Sequence, residues 1–224
     1  LAEGLEEDFA EHVQAISRMA DRMATDRDLS ETHWREDARN YLTDFRVYRA
    51  IEWIDRDHVI RWVEPVEGNE TAIGYDVGSN ESRRAELVQA QQSGRIDISG
   101  IIQLKQGEPG LVIYAPVGAG EENRGFIAGV FDMASLADSM LKGNLTDHFS
   151  VQVISGGTVA WRLNENLPVD EQFSHRVTPR LPVIDWQLVL TPDQNRVEEW
   201  SSHWPVITGF SMAVLGLLIS AAVL

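Results

Sequence analysis

The stretch that decides the fold runs from Arg49 to Val66 and reads RAIEWIDRDHVIRWVEPV. Apolar and polar residues alternate around Ile51 and Trp53, then again through Val59, Arg61 and Val63. A period of two is the pattern of a half-buried strand. Asp55, Arg56 and Asp57 supply a polar turn between the two runs. The stretch therefore predicts a β-hairpin, and everything before it has a different period.

Upstream, residues 1–27 place Leu5, Phe9, Val13, Ile16, Ala20 and Met23 at spacings of three and four, with Glu3, Glu7, Glu11, Arg18 and Arg22 opposite. That is an amphipathic helix. It is either a stalk rising from a membrane or an ordinary helix packed on a core. Ser30 is a suitable N-cap for a second helix reaching about Phe45, with Trp34, Ala38, Tyr41, Leu42 and Phe45 on its apolar face.

Downstream, EGNETAIGYD (Glu67–Asp76) reads as a turn-rich loop. A helix follows, capped by Asn80 and closed by Gly94. IDISGIIQLK and GLVIYAPVG read as two strands around QGEPG, and FIAGVFDM as a further strand. Two strands, one helix and three strands describe an antiparallel sheet with helices on one face, an α+β arrangement of the PAS-like or Cache-like kind. A smaller sheet is expected after it. MASLADSMLKG is helical, FSVQVIS and TVAWRL flank Gly156 and Gly157, and EQFSHRVTP and IDWQLVLTP supply two more strands.

The formal net charge is −16, from 19 Lys and Arg against 35 Asp and Glu. Such a field repels nucleic acid and anionic head groups, so polyanion binding is set aside. The absence of Cys excludes disulfides and thiolate metal sites, and suits a protein of the bacterial envelope. PVITGFSMAVLGLLISAAVL (Pro205–Leu224) carries no ionisable side chain. About 20 such residues match the thickness of a bilayer, and Trp200 and Trp204 stand where indoles favour the interface. A membrane span is expected there. The first residue is Leu, so the chain reads as a piece of a longer protein.

No catalytic constellation is found. The six His residues are scattered, none at metal-binding spacing on a helix, and no phosphate loop or nucleophile elbow occurs. His58, beside Asp55 and Asp57, reads as part of a solvated hairpin tip. No catalytic residue, metal or cofactor is expected. Binding remains. Aromatics gather near the first sheet, and Asp76, Gln103 and Arg84 are the polar groups best placed to aim at a pocket. From the residues alone, Asp76 is as readily a helix cap or a loop-stabilising carboxylate.

The order and spacing of several elements resemble the CHASE domain. These are Glu64, Pro65, Gly68 and Asn69; then Gly74 and Asp76; then Arg83, Arg84, Leu87, Ala90 and Gly94. Leu104 and Gln106, Tyr114 to Val117, and Gly125 with Phe131 complete the match, over about residues 46–136. The resemblance implies an extracytoplasmic sensor with a stalk helix (1–30) and a membrane-distal PAS-like unit (31–134). A membrane-proximal PAS-like unit (135–198) and a juxtamembrane and transmembrane helix (199–224) follow. It also implies residues 1–204 outside the inner membrane, a homodimer, and a cytoplasmic histidine kinase, diguanylate cyclase or phosphodiesterase, or adenylate cyclase. In the plant cytokinin receptors that share the family, an Asp aligned with Asp76 holds the ligand ring. A Leu aligns with Ile98 and a Thr with Tyr114, where the larger Tyr should reshape the cavity. The expected small-molecule contacts are Asp76, Tyr75, Trp53, Ile98, Gln103 and Tyr114. The alternative is an ectodomain that docks a periplasmic protein and holds no ligand.

Overall fold

The computed structural model describes residues 2–26, 30–105, 107–140, 148–181, 184–195 and 197. They form two compact units. One comprises Phe9–Leu136 with Pro182–Ile184, and the other Leu1–Asp8, Ala137–Leu181 and Asp185–Leu224.

The first unit is built on β1 (Ala50–Ile54) and β2 (Ile60–Glu64), the hairpin expected from the alternation. With β3 (Asp97–Ile98), β4 (Ile102–Gln103), β5 (Pro109–Pro116) and β6 (Phe126–Asp132), it forms a six-stranded sheet in the order β2-β1-β6-β5-β3, with β4 also on β5. Every pairing is antiparallel. One strand was expected through residues 96–105, and two short ones form. The break is at Ser99, whose Oγ accepts the Val112 N–H while its own N–H bonds the Val112 carbonyl. Gly100 follows it and leaves the ladder.

Two helices cover one face of this sheet. From Phe9 onward, α1 (Ala2–Thr25) buries Phe9, Ile16, Met19, Ala20 and Met23, each worth roughly 1.5–3 kcal/mol for the larger side chains. Gly129 lets it sit close, since a Cβ there would stand 2.9 Å from Ile16 and from the Tyr48 ring. Arg124 donates from Nη1 to the carbonyls of Met23 and Asp26, placing a cation at the C-terminal end of the helix. α2 (Glu31–Asp44) is capped by Ser30 Oγ on the His33 N–H. It buries Trp34 against Trp62, and its Arg35 and Arg39 both bond the carboxylate of Glu64. α3 (Glu81–Ser93) belongs to the other face, capped by Asn80 Oδ1 and closed by Gly94 in the left-handed conformation, as its sequence predicts.

In the second unit, β7 (Phe149–Ser155), β8 (Thr158–Leu163), β9 (His175–Val177) and β10 (Trp186–Pro192) form an antiparallel sheet ordered β8-β7-β10-β9. Gly156 and Gly157 both have positive φ, 57° and 79°, which a two-residue hairpin turn requires. Phe149, Val151, Val153, Trp186, Leu188 and Leu190 are its core. α4 (Met133–Met140) continues from β6. The span expected at 205–224 lies outside the described residues. Among those described, no helix is long and apolar enough to cross a membrane.

Candidate functional site

The face of the first sheet opposite α1 and α2 carries a row of residues set by strand register. Asp97 pairs with Tyr114, Tyr114 with Ala128, Ala128 with Glu52, and Glu52 with Val63. Directly paired residues point to the same face. Tyr114 and Glu52 are two strands apart, about 10 Å between backbones at the usual strand spacing. Only the methyl of Ala128 stands between them. A cavity of about 350 Å³ opens over this region, at the lower end of the size range of ligand pockets.

Its floor is Glu52, Ile60, Val112, Tyr114 and Val130. One wall is the loop before α3, through Ala72, Tyr75, Val77 and Asn80, with Arg83 from the first turn of the helix. The other is Ile102 to Lys105. The loop is held by backbone pairing to the entrance of β2: Gly74 N–H to the Ile60 carbonyl, Ile60 N–H to Tyr75, and Val77 N–H to His58. Gly74 has φ +82°, a conformation that glycine adopts without strain. Thr71 Oγ1 donates to the Lys105 carbonyl at 3.0 Å and ties the two walls together.

The electrostatics of the cavity are mixed. Tyr114 is fully buried, and burial pushes its phenol well above the ordinary value; Arg83 pulls the other way, while Glu52, Asp97 and Tyr75 push it further up. It therefore stays a neutral hydroxyl at physiological pH. Burial also raises Asp97, against the Ile98 N–H that lowers it. Glu86 is raised by burial and by Asp97, with Arg83 opposing. Lys105 Nζ stands 4.0 Å from the centroid of the Tyr75 ring. Neither Arg83 nor Lys105 forms an ion pair with a carboxylate of the described residues. Glu52 is only 4% exposed. Among the described residues no group of three or more His, Asp or Glu side chains is placed to hold a metal ion.

The family model of the CHASE domain matches residues 2–161. The chain belongs to the CHASE domain family. It is an extracytoplasmic sensor domain. Among solved structures it is similar to an extracellular ligand binding receptor from Desulfohalobium retbaense, with a TM-score of 0.66 at 15% identity over 85% of this chain. The match spans only 38% of that receptor's chain. It is similar also to the ligand binding domain of the Pseudomonas aeruginosa amino acid chemoreceptor PctB in complex with L-Gln, with a TM-score of 0.60 at 13% identity, covering 98% of this chain and 94% of that one. A third is the ligand-binding domain of the Pseudomonas fluorescens chemoreceptor CtaA in complex with L-valine, with a TM-score of 0.62 at 12% identity, covering 86% and 92%. At these identities the likeness is one of fold. No curated protein matches the chain.

Of the six contacts expected from sequence, Tyr75, Gln103 and Tyr114 line the cavity of this CHASE domain, and Asp76, Trp53 and Ile98 do not. Trp53 is on the α2 side of the sheet, stacked on Trp62 with centroids 5.7 Å apart. Ile98 follows Asp97 in β3 and so points to the opposite face. Asp76 precedes a 3-10 turn but makes no side-chain cap. Its Oδ2 is 4.0 Å from Arg84 Nη2, and its Oδ1 is buried without a hydrogen bond. His58, expected to be solvated, is 7% exposed, because the loop folds over the hairpin tip through the Val77 N–H and Phe126 lies beside its ring at 6.0 Å. Glu52, Asn80, Arg83 and Lys105 are polar lining residues that the sequence reading did not place among the expected contacts. The alternation around Ile51 and Trp53 pointed Glu52 to a solvated face, whereas all five positions of β1 are buried because both faces of the sheet are covered.

Proposed function

We propose that this CHASE domain is the ligand-sensing region of a membrane-bound bacterial receptor and that a small molecule binds in the cavity of the first unit. The cavity carries this reading: it is apolar below, through Ile60, Val112 and Val130, and presents a few convergent polar groups, through Tyr75, Gln103 and Tyr114. The similar folds include chemoreceptor domains in complex with amino acids, which supports a ligand of that size. The loop of residues 70–80 is the element through which occupancy would be felt, since it supplies one wall and is tied to β2 and to Lys105. A ligand shifts such a receptor only if it binds two states unequally. In this reading the segment 205–224 anchors the domain, two copies pair, and a histidine kinase or diguanylate cyclase or phosphodiesterase follows in the cytoplasm. Native mass spectrometry of the purified chain tests the central claim. A bound small molecule should be retained by the wild type and lost in Ile102→Trp, which fills the cavity from a half-buried position. An adduct that survives Ile102→Trp places the ligand elsewhere.

A further inference from the structure

Two unmet polar groups of the first unit lie beside the cavity but outside its lining. His58, at the tip of the β1–β2 hairpin, is buried, and its Nε2 has no hydrogen-bond partner. Asp76, in the loop of residues 70–80, has its Oδ1 buried without a partner. The two side chains meet at Gly78. A Cβ built there would stand 2.9 Å from His58 Nδ1 and 3.3 Å from Asp76 Oδ1. The bare Cα of Gly78 therefore leaves a gap flanked by an imidazole and a carboxylate. Leaving such groups unmatched in a buried place costs free energy.

The main chain already joins the two segments. Val59 and Asp76 form an antiparallel bridge, and the Val77 N–H donates to the His58 carbonyl at 2.8 Å. Tyr75 and Val77, on either side of Asp76, line the cavity. The other charged groups around the ring are committed elsewhere or face solvent. Asp55 Oδ1 accepts from the N–H groups of Asp57 and Val59, and its Oδ2 accepts from Arg61. Arg56 and Asp57 are exposed. From α3, Arg84 donates from Nε to the Gly78 carbonyl, and its Nη2 stands 4.0 Å from Asp76 Oδ2, on the other oxygen of that carboxylate. From β6, Phe126 lies beside the imidazole, with ring centroids 6.0 Å apart. Arg124, just before that strand, is turned to the carbonyls of Met23 and Asp26. Asp76 is thus the carboxylate left for a charged His58.

A buried imidazole tolerates a charge only when an anion is at hand. Imidazole is also the side chain that ordinarily changes charge between pH 5 and 8. We propose that His58 and Asp76 are a proton-operated latch: as the medium turns acid the imidazole takes up a proton, its Nδ1–H closes on Asp76 Oδ1 across Gly78, and the loop of residues 70–80 is fastened to the hairpin tip. The sign follows from linkage. The closed loop holds a proton that the open loop gives up, so the fastening is present in acid and is lost as pH rises toward neutrality. An extracytoplasmic domain meets the pH of its surroundings directly, and the latch ties one wall of the cavity, through Tyr75 and Val77, to that pH. The latch does not depend on what the cavity holds.

The test follows the loop in the purified 224-residue chain, with no ligand added. Hydrogen exchange gives protection factors for the Gly74 and Val77 amides, which bond Ile60 and His58, at about pH 7.5 and about pH 5.5. Protection factors already remove the intrinsic pH dependence of exchange. The wild type, His58→Gln and Asp76→Asn are compared. On acidification the wild type should gain at least fivefold more protection at these amides than either variant does. Carboxylates elsewhere, Asp97 and Glu86 among them, titrate in all three proteins, so the difference isolates the pair. Equal gains in the three proteins, or a loss of protection in the wild type, overturn the latch. Should a variant fail to fold, the wild type decides alone by nuclear magnetic resonance. The His58 ring and the Val77 amide must then titrate with one midpoint, and separate midpoints overturn the proposal. None of these readouts needs a bound molecule, so an empty cavity would defeat the sensing reading and leave the latch standing.

Discussion

Tyr114 and Glu52 stand on one row of the first sheet with Ala128 between them, β5 to β6 to β1. This spacing explains the cavity. Any larger residue at 128 would close the gap between a phenol and a carboxyl that both face inward.

Tyr114→Phe isolates the hydroxyl. The ring keeps its packing, so the melting temperature should move by no more than a few degrees. Ligand affinity should fall about tenfold, the size of a single buried hydrogen bond. Calorimetric titration of the retained ligand on both proteins checks this, and equal affinities would remove Tyr114 from the contact set.

Asp97→Asn tests the electrostatic strain beside the cavity. Burial raises Asp97 and Glu86 above their ordinary values of 3.8 and 4.5. A raised folded-state pKa means that the fold binds the proton more tightly than the unfolded chain does. The resulting stability is fully present below the ordinary value and is lost as pH rises through the folded one. The wild type should therefore lose melting temperature as pH climbs from about 4 toward neutrality on account of these groups. Asp97→Asn should melt higher at pH 7 and show a flatter profile across that window. Parallel melting profiles for the two proteins would contradict the assignment.

The hairpin, α3 with both its caps and the succession of helices and strands along the first unit were legible because each is local, whereas the order of the strands within the sheet was not. Alternation in Ala50–Ile54, an Asn before a helical run and a Gly after it need no tertiary information. What was not legible is which face each strand residue takes once a bulge intervenes. Trp53 and Glu52 are adjacent in sequence, and only the register with Ala128 shows that Glu52 faces the cavity and Trp53 faces α2. Of the aromatic residues expected as pocket walls, Tyr75 and Tyr114 line the cavity and Trp53 belongs to the α2 side. Arg83 entered the sequence reading only as part of the family resemblance and Lys105 not at all, because nothing local places them on two walls of one space.

Gly129→Ala probes the seat of α1. The added methyl would meet Ile16 and the Tyr48 ring at 2.9 Å, inside contact distance. Because both neighbours are buried core side chains, relief requires the helix to shift, and overpacking of this kind costs about 1–3 kcal/mol. Urea unfolding should show a lower midpoint with an unchanged slope. A midpoint within error of the wild type would mean that α1 is free to move on the sheet.

Asp76→Ala separates the family resemblance from the geometry. If the carboxylate holds the ligand as in the plant receptors, its loss should abolish binding. In this structure it stands outside the cavity, with Oδ2 only loosely placed toward Arg84 and Oδ1 buried without a donor. Removing it therefore frees an unsatisfied acceptor and breaks no close ion pair, and the variant should melt no lower than the wild type. Affinity should change less than about threefold, the part transmitted through its backbone neighbours Tyr75 and Val77, whose main-chain pairing to Ile60 and His58 the substitution leaves intact. Thermal melting and titration of one protein sample decide the matter: complete loss of binding with an unchanged melting temperature would show that the loop moves to bring Asp76 onto the ligand.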